Sequence, residues 1–209
     1  MWRKIMVVAV ALLGWTGAYA EGAFVEGKDY TLITHPQLMP AGHDVVVQEF
    51  FWYGCPHCYH LLPLLDSWAK TKPAYVELDL IPAALTPLWQ IDARAFYAAQ
   101  SRGVALKLHE AMFDSIHKDQ NTSLVNDIPS IVKFYESHGA GVHFAELMNS
   151  MVILGKVNYA AQLAKDYAIE GVPALIIDGK YLVDYHAGEP MRMMQVVAEL
   201  VRREHAVRH

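Results

Sequence analysis

The chain has 209 residues, with 17 Lys and Arg against 22 Asp and Glu and a formal net charge of −5. This acidic balance, with no long basic run, argues against nucleic acid as a partner. The two cysteines cannot form a stapling framework, so stability must come from a packed core, for which this length suffices.

Met1-Trp2-Arg3-Lys4 gives a cationic start, residues 5–13 are uninterrupted apolar, and Ala18-Tyr19-Ala20 supplies a small-x-small cut site. Residues 1–20 are therefore expected to be a secretory signal peptide removed after Ala20. The stretch is too short to span a bilayer, which takes about 20 apolar residues. The expected destination is an oxidising compartment, the periplasm, where a protein disulfide persists. Loss of Arg3 and Lys4 with the leader makes the mature chain more acidic by two charges.

Residues 45–53 (VVVQEFFWY) form a strand-like run that leads directly into Cys55-Pro56-His57-Cys58. Residues 59–68 then read as a helix in which Pro63 predicts a kink rather than an end. Residues 75–80 alternate as a strand does. From 85 to 167 the spacing turns helical: Ile91, Ala95, Phe96 and Ala99; Leu108, Met112, Phe113 and Ile116; Ile128, Ile131, Val132 and Tyr135; Phe144, Leu147, Met148 and Met151; Val157, Ala161, Ala164 and Tyr167. Four or five helices are expected there. Residues 172–177 and 181–183 flank Asp178-Gly179-Lys180, a hairpin signal, and a last helix starts near Pro190 and runs toward Arg203. The order implies a sheet domain built from residues 21–84 and 168–209, with an all-helical insertion over 85–167.

All the sulfur chemistry lies in one C-x-x-C at a strand-to-helix junction, which points to thiol–disulfide redox chemistry. The helix N-terminus aims free N–H groups at Cys55 and favours its thiolate. His57 adds to this, and Pro56 preorganises the first turn. Cys58, one turn in, is expected to be more buried and to resolve the exchange. A thiolate exists only after reduction, so stabilising it makes the disulfide a stronger oxidant. An inert structural disulfide closing four residues would add little, about 2 kcal/mol. A metal site is not expected, because no second Cys pair or spaced His pair completes four ligands.

Glu49, six residues before Cys55 among apolar neighbours, is expected to be buried with a raised pKa and to move protons at the cysteine pair. The other reading of Glu49 is a strand-end carboxylate reaching solvent. Val172-Pro173 opens a strand and, if cis, leaves neighbouring backbone groups free for an extended substrate. Most of the eleven histidines are expected to be solvated, and the tryptophans to pack in the core or at its rim.

Residues 49–59 (EFFWYGCPHCY), together with Gly171-Val172-Pro173-Ala174 and Asp178-Gly179-Lys180-Tyr181, resemble the DsbA family of periplasmic thiol:disulfide oxidases. The likeness covers essentially the whole mature chain. It implies an α/β fold, thioredoxin-like with an inserted all-helical domain. It further implies Cys55 as nucleophile, Cys58 as resolving cysteine, His57 tuning the thiolate, Glu49 as the buried acid, and a cis Pro173 facing the pair with Val172 binding substrate. No cofactor beyond the Cys55–Cys58 disulfide is expected. The implied partners are reduced, unfolded exported polypeptides and a membrane quinone reductase of the DsbB type, and a monomer is expected. Gly54 stands where some relatives carry bulkier aromatic residues, which implies a different groove rim. A reductase or isomerase using the same motif, and a peptide-binding chaperone with an incidental disulfide, are the competing readings; a chaperone would survive loss of both cysteines.

Overall fold

The computed structural model describes residues 24–37, 39 and 45–209. The expected leader and its cut site lie outside these residues. Five strands form one sheet: β1 (Thr31–Leu32), β2 (Val45–Phe51), β3 (Val76–Pro82), β4 (Ala174–Ile177) and β5 (Tyr181–Val183), in the order β1-β5-β4-β2-β3. β2 runs parallel to β3 and antiparallel to β4. Every residue of β2 is buried, as an inner strand covered on both faces must be, which explains its near-continuous apolar sequence.

Strand alternation sorts β2 between two cores. Val45 and Val47 pack with Leu61 and Leu65 of α1 (Pro56–Thr71) and with Val196, Val197 and Leu200 of α8 (Pro190–Arg208). Phe50, on the other face, joins the core built with the helices between β3 and β4. Gln48 shares that face, and its Oε1 accepts a hydrogen bond from the Tyr167 hydroxyl at 2.9 Å.

Six α-helices lie between β3 and β4: α2 (Pro87–Ser101), α3 (Ala105–His117), α4 (Ser123–Asn126), α5 (Ile128–Tyr135), α6 (Phe144–Met148) and α7 (Met151–Asp166). The expectation of four or five falls short because α4 and α6 are too short to display a full apolar period, and a π turn at Glu136–Ala140 breaks the pattern between α5 and α6. Met151 is a second correction. It opens α7 behind the Ser150 cap and is 83% exposed.

The first expected strand stops at Phe51 rather than residue 53, because the chain turns there. The Phe51 carbonyl accepts from Ala83 N at 2.7 Å and the Trp52 carbonyl from Cys55 N at 3.0 Å. Pro63 does not end α1. In the β4–β5 hairpin, Asp178 and Gly179 hold φ of 54° and 65°, the left-handed pair that an Asp-Gly turn requires. α8 runs five residues past the expected Arg203, to Arg208. Among the described residues no helix is long and apolar enough to cross a membrane.

Candidate active site

Cys55 is the N-cap of α1, with Pro56 at the first helical position. Its Sγ accepts from the Cys58 backbone N–H at 3.4 Å, and its thiol donates to the Val172 carbonyl at 3.3 Å. Both cysteines are present as free thiols. The Cys58 thiol, hydrogen-bonded to Cys55 Sγ, pulls the Cys55 pKa down to about 6. The Cys58 and His57 backbone N–H groups and the His57 side-chain charge act the same way, and burial opposes them. His57 itself is exposed, so it acts on the sulfur from the solvent side.

Cys58 is fully buried, against 7% exposure for Cys55. Burial pushes the Cys58 thiol up, and the neighbouring Cys55 and Glu49 push it further. The two sulfurs of one motif are thus split, one toward thiolate and one toward thiol. An incoming thiolate reaches Cys55 before Cys58.

Glu49 is 2% exposed, as its apolar setting in β2 implies, and it does not reach solvent. Burial raises its pKa to about 8, with further contributions from Asp66 and Cys55. Its Oε2 has no hydrogen-bond partner. The carboxyl stays neutral at pH 7 and holds a proton near the cysteine pair.

The Val172–Pro173 peptide bond is cis. Pro173 is buried at the head of β4 while Val172 stays partly exposed, so the Val172 carbonyl meets Cys55 at the site's open edge. All seven candidate residues, Glu49, Pro56, His57, Cys55, Cys58, Val172 and Pro173, therefore come from the β2–α1 segment and the start of β4. Adjacent strands bring those two segments together.

Sequence reasoning passed over three polar residues beneath the β2–α1 turn. His109 is 5% exposed, its Nδ1 shares a 3.1 Å hydrogen bond with the Tyr53 hydroxyl, and burial lowers its pKa to about 4. His117 Nε2 donates to the Tyr53 carbonyl at 2.8 Å, and its ring stacks on Tyr59 at 4.9 Å. Asp92 is 1% exposed. The signal was present in spacing: Asp92 precedes Ala95, Phe96 and Ala99 by three, four and seven, and His109 precedes Met112, Phe113 and Ile116 likewise. Their polarity hid them. Phe51 meets Phe96, His109 and Phe113 edge-on or tilted at 4.8 to 6.1 Å, so the inserted helices pack directly under the cysteine turn.

Gly54 precedes Cys55, and the Trp52 indole lies over it. A Cβ at position 54 would sit 2.6 Å from Cη2 and 2.8 Å from Cε2 of that ring. The indole is in turn stacked on Trp89 of α2, at 4.8 Å and 14°. Gly54→Ala is therefore expected to displace the ring and cost about 1–3 kcal/mol by overpacking. Thermal melting checks the stability loss, and a shift in tryptophan emission checks the displacement.

Among the described residues no group of three or more His, Cys, Asp or Glu side chains is arranged to hold a metal ion. A family model described as a DSBA-like thioredoxin domain matches residues 89–195. That span excludes Cys55 and Cys58, so the match does not rest on the cysteine motif. The thiol:disulfide interchange protein DsbA of Burkholderia cepacia is 35% identical over 185 residues, 86% of each chain. The crystal structure of the oxidoreductase DsbA from Xylella fastidiosa superposes with a TM-score of 0.80 at 29% identity, covering 87% of this chain and 98% of that one. A DsbA from Proteus mirabilis, solved with a non-covalently bound peptide, superposes at 0.67 and 26% identity over 88% and 98%. With its thioredoxin-like fold and inserted helices, this chain belongs to the DsbA family, the disulfide-forming thiol:disulfide oxidoreductases.

Proposed function

We propose that the Cys55–Cys58 disulfide is donated to reduced, unfolded exported polypeptides in the periplasm, after removal of residues 1–20. A client thiolate attacks Cys55 Sγ, the Cys55–Cys58 bond breaks, and Cys58 leaves with the electron pair. A second client thiolate attacks the client sulfur of the mixed disulfide and expels Cys55. The client loses two electrons and two protons; the enzyme takes both electrons and keeps one proton, on Cys58, while the other passes to solvent because Cys55 leaves as a thiolate. No cofactor beyond this disulfide takes part.

The observation that carries this reading is the split between the sulfurs, with Cys55 held at about 6 and Cys58 raised. Cys55 is a good leaving group in the second step. Cys58 is a poor one in the first, and the neutral Glu49 is the acid placed to protonate it. The Val172 backbone, already bonded to Cys55, offers an extended client a place to pair, in keeping with the peptide-bound relative. A membrane quinone reductase of the DsbB type is the proposed reoxidant, and the enzyme is proposed to act as a monomer. Residues 21–84 and 168–209 form the proposed redox domain, and 85–167 the insertion that buttresses its cysteine turn. The direct test incubates oxidised enzyme with a reduced multi-cysteine protein and follows loss of client thiols. Stoichiometric transfer of one disulfide per enzyme supports the donor role, and unchanged client thiols refute it.

Glu49→Gln separates the acid from its setting. The folded-state carboxyl stays protonated up to about 8, against 4.5 unperturbed, whereas the unfolded chain ionises from 4.5 upward. The native state therefore loses stability as pH rises through that interval. The glutamine variant should gain about 3 kcal/mol at pH 7, nothing below pH 4, and lose the slope between. It should also slow disulfide transfer by about 10²-fold at neutral pH. Denaturant titrations and stopped-flow transfer measured across pH check both effects.

A further inference from the structure

Asp92 of α2 is buried, and neither of its carboxyl oxygens has a hydrogen-bond partner. The Trp52 indole N–H faces the carboxyl and works against the effect of burial on it, but the two do not reach hydrogen-bond geometry, and the indole nitrogen is likewise buried without a hydrogen-bond partner. The Tyr53 hydroxyl beside them is already shared with His109. Asp92 and Trp89 stand three residues apart on α2 and so share one face of it. Trp89 stacks on the flat of the Trp52 ring, while Asp92 meets its polar edge. The same ring covers Gly54. The Trp52 backbone is bonded to Cys55 N through its carbonyl at 3.0 Å and also acts on the Cys58 thiol. A continuous run of contacts thus leads from the inserted helix to both sulfurs.

A carboxyl buried without a hydrogen-bond partner lowers stability, since an apolar residue of the same volume would fill the space without desolvation. We propose that Asp92 is a positioning residue for disulfide exchange: by holding the Trp52 indole edge it fixes the turn that presents Cys55 and Cys58. The inserted helices then tune the redox centre rather than merely covering it. This rests on the disulfide-donor reading above.

The test uses Asp92→Leu, Asp92→Asn, Trp52→Phe and the Asp92→Leu/Trp52→Phe double variant of the full-length mature protein. The rate of oxidation of a reduced two-cysteine peptide and the melting temperature are measured for each. Asp92→Leu removes the acceptor and Trp52→Phe removes the donor while keeping a ring to stack. Each should slow transfer about tenfold, as a displaced reacting group does, and the double variant should be no slower than either single one. Asp92→Asn keeps an acceptor oxygen and should retain the wild-type rate, and both Asp92 variants should melt higher. A wild-type rate in Asp92→Leu, or losses that multiply in the double variant, overturns the proposal. Should Asp92→Leu fail to fold, a wild-type rate in Trp52→Phe overturns it equally. An inactive wild-type enzyme in the same assay would refute the donor reading instead, so the two failures are distinguishable.

Discussion

Cys55→Ser is expected to abolish disulfide donation to the uncatalysed background, and Cys58→Ser to abolish it too, yet the two variants should behave oppositely toward an oxidised peptide. Neither can hold the enzyme's disulfide, so neither can donate one. Cys58→Ser replaces the thiol that lowers the Cys55 pKa most with a hydroxyl that can donate to the same sulfur, and it keeps the backbone N–H groups and the His57 charge, so Cys55 stays thiolate-prone at the N-terminus of α1. That sulfur attacks an oxidised peptide's disulfide, releases one peptide thiolate and keeps the other half as a mixed disulfide, with no second enzyme thiol to resolve it. Cys55→Ser retains only Cys58, fully buried and pushed toward the thiol form, and should form no adduct. At pH 7 a thiol of pKa about 6 is roughly 90% ionised against about 1% for an ordinary one, but lower basicity takes back about thirtyfold in nucleophilicity. The net gain as an attacking group is only about threefold. Ionisation therefore serves Cys55 chiefly as a leaving group, the role a disulfide donor needs. Mass spectrometry of the peptide adducts checks the contrast, and an adduct on Cys55→Ser but not on Cys58→Ser would reverse the roles assigned to the two sulfurs.

The parts of this chain that were legible in sequence are those where one local rule acts alone. The buried run of β2, the Pro-led start of α1, the Asp178-Gly179 turn and the Cys55–Cys58 motif each carry their own signature. β1 was not legible, because two residues, Thr31 and Leu32, cannot display alternation and become a strand only by pairing with Leu182 and Tyr181. Asp92 and His109 were hidden for a different reason. Apolar spacing is carried by apolar residues, and both are polar groups occupying core positions. The apolar spacing places Ile91 on the core face, whereas in the fold Ile91 is only half-buried and its neighbour Asp92 is enclosed. Gly54 could be noticed but not explained from sequence, since its need arises from the Trp52 ring lying across it. What sequence withholds here is how the inserted helices bear on the cysteine turn, and that depends on side chains far apart in the chain.

The equilibrium between the enzyme and glutathione should shift toward reduced enzyme by about tenfold for each pH unit between about 6 and 8 and level off below 6. The sign follows from which sulfur ionises. Cys55 has a folded pKa of about 6 against 9.0 unperturbed, so the stabilisation of the reduced form is complete above the unperturbed value and is lost as pH falls through 6. Across the interval, reduction of the enzyme releases one proton that two glutathione thiols would have kept, because Cys58 remains protonated. At pH 7 the effect amounts to about one decade in the equilibrium, or roughly 30 mV of added oxidising potential; near pH 8 it approaches twice that. Above about 8 Glu49 begins to ionise, and the repulsion between its carboxylate and the Cys55 thiolate should flatten the curve. Glu49→Gln should remove that flattening while leaving the slope below pH 8 intact. Following the thiolate by its ultraviolet absorbance locates the midpoint independently of glutathione. A midpoint near 9 with a flat equilibrium from pH 6 to 8 would show that neither the Cys58 thiol nor the helix terminus holds Cys55 as a thiolate, and the oxidising direction of the enzyme would lose its physical basis.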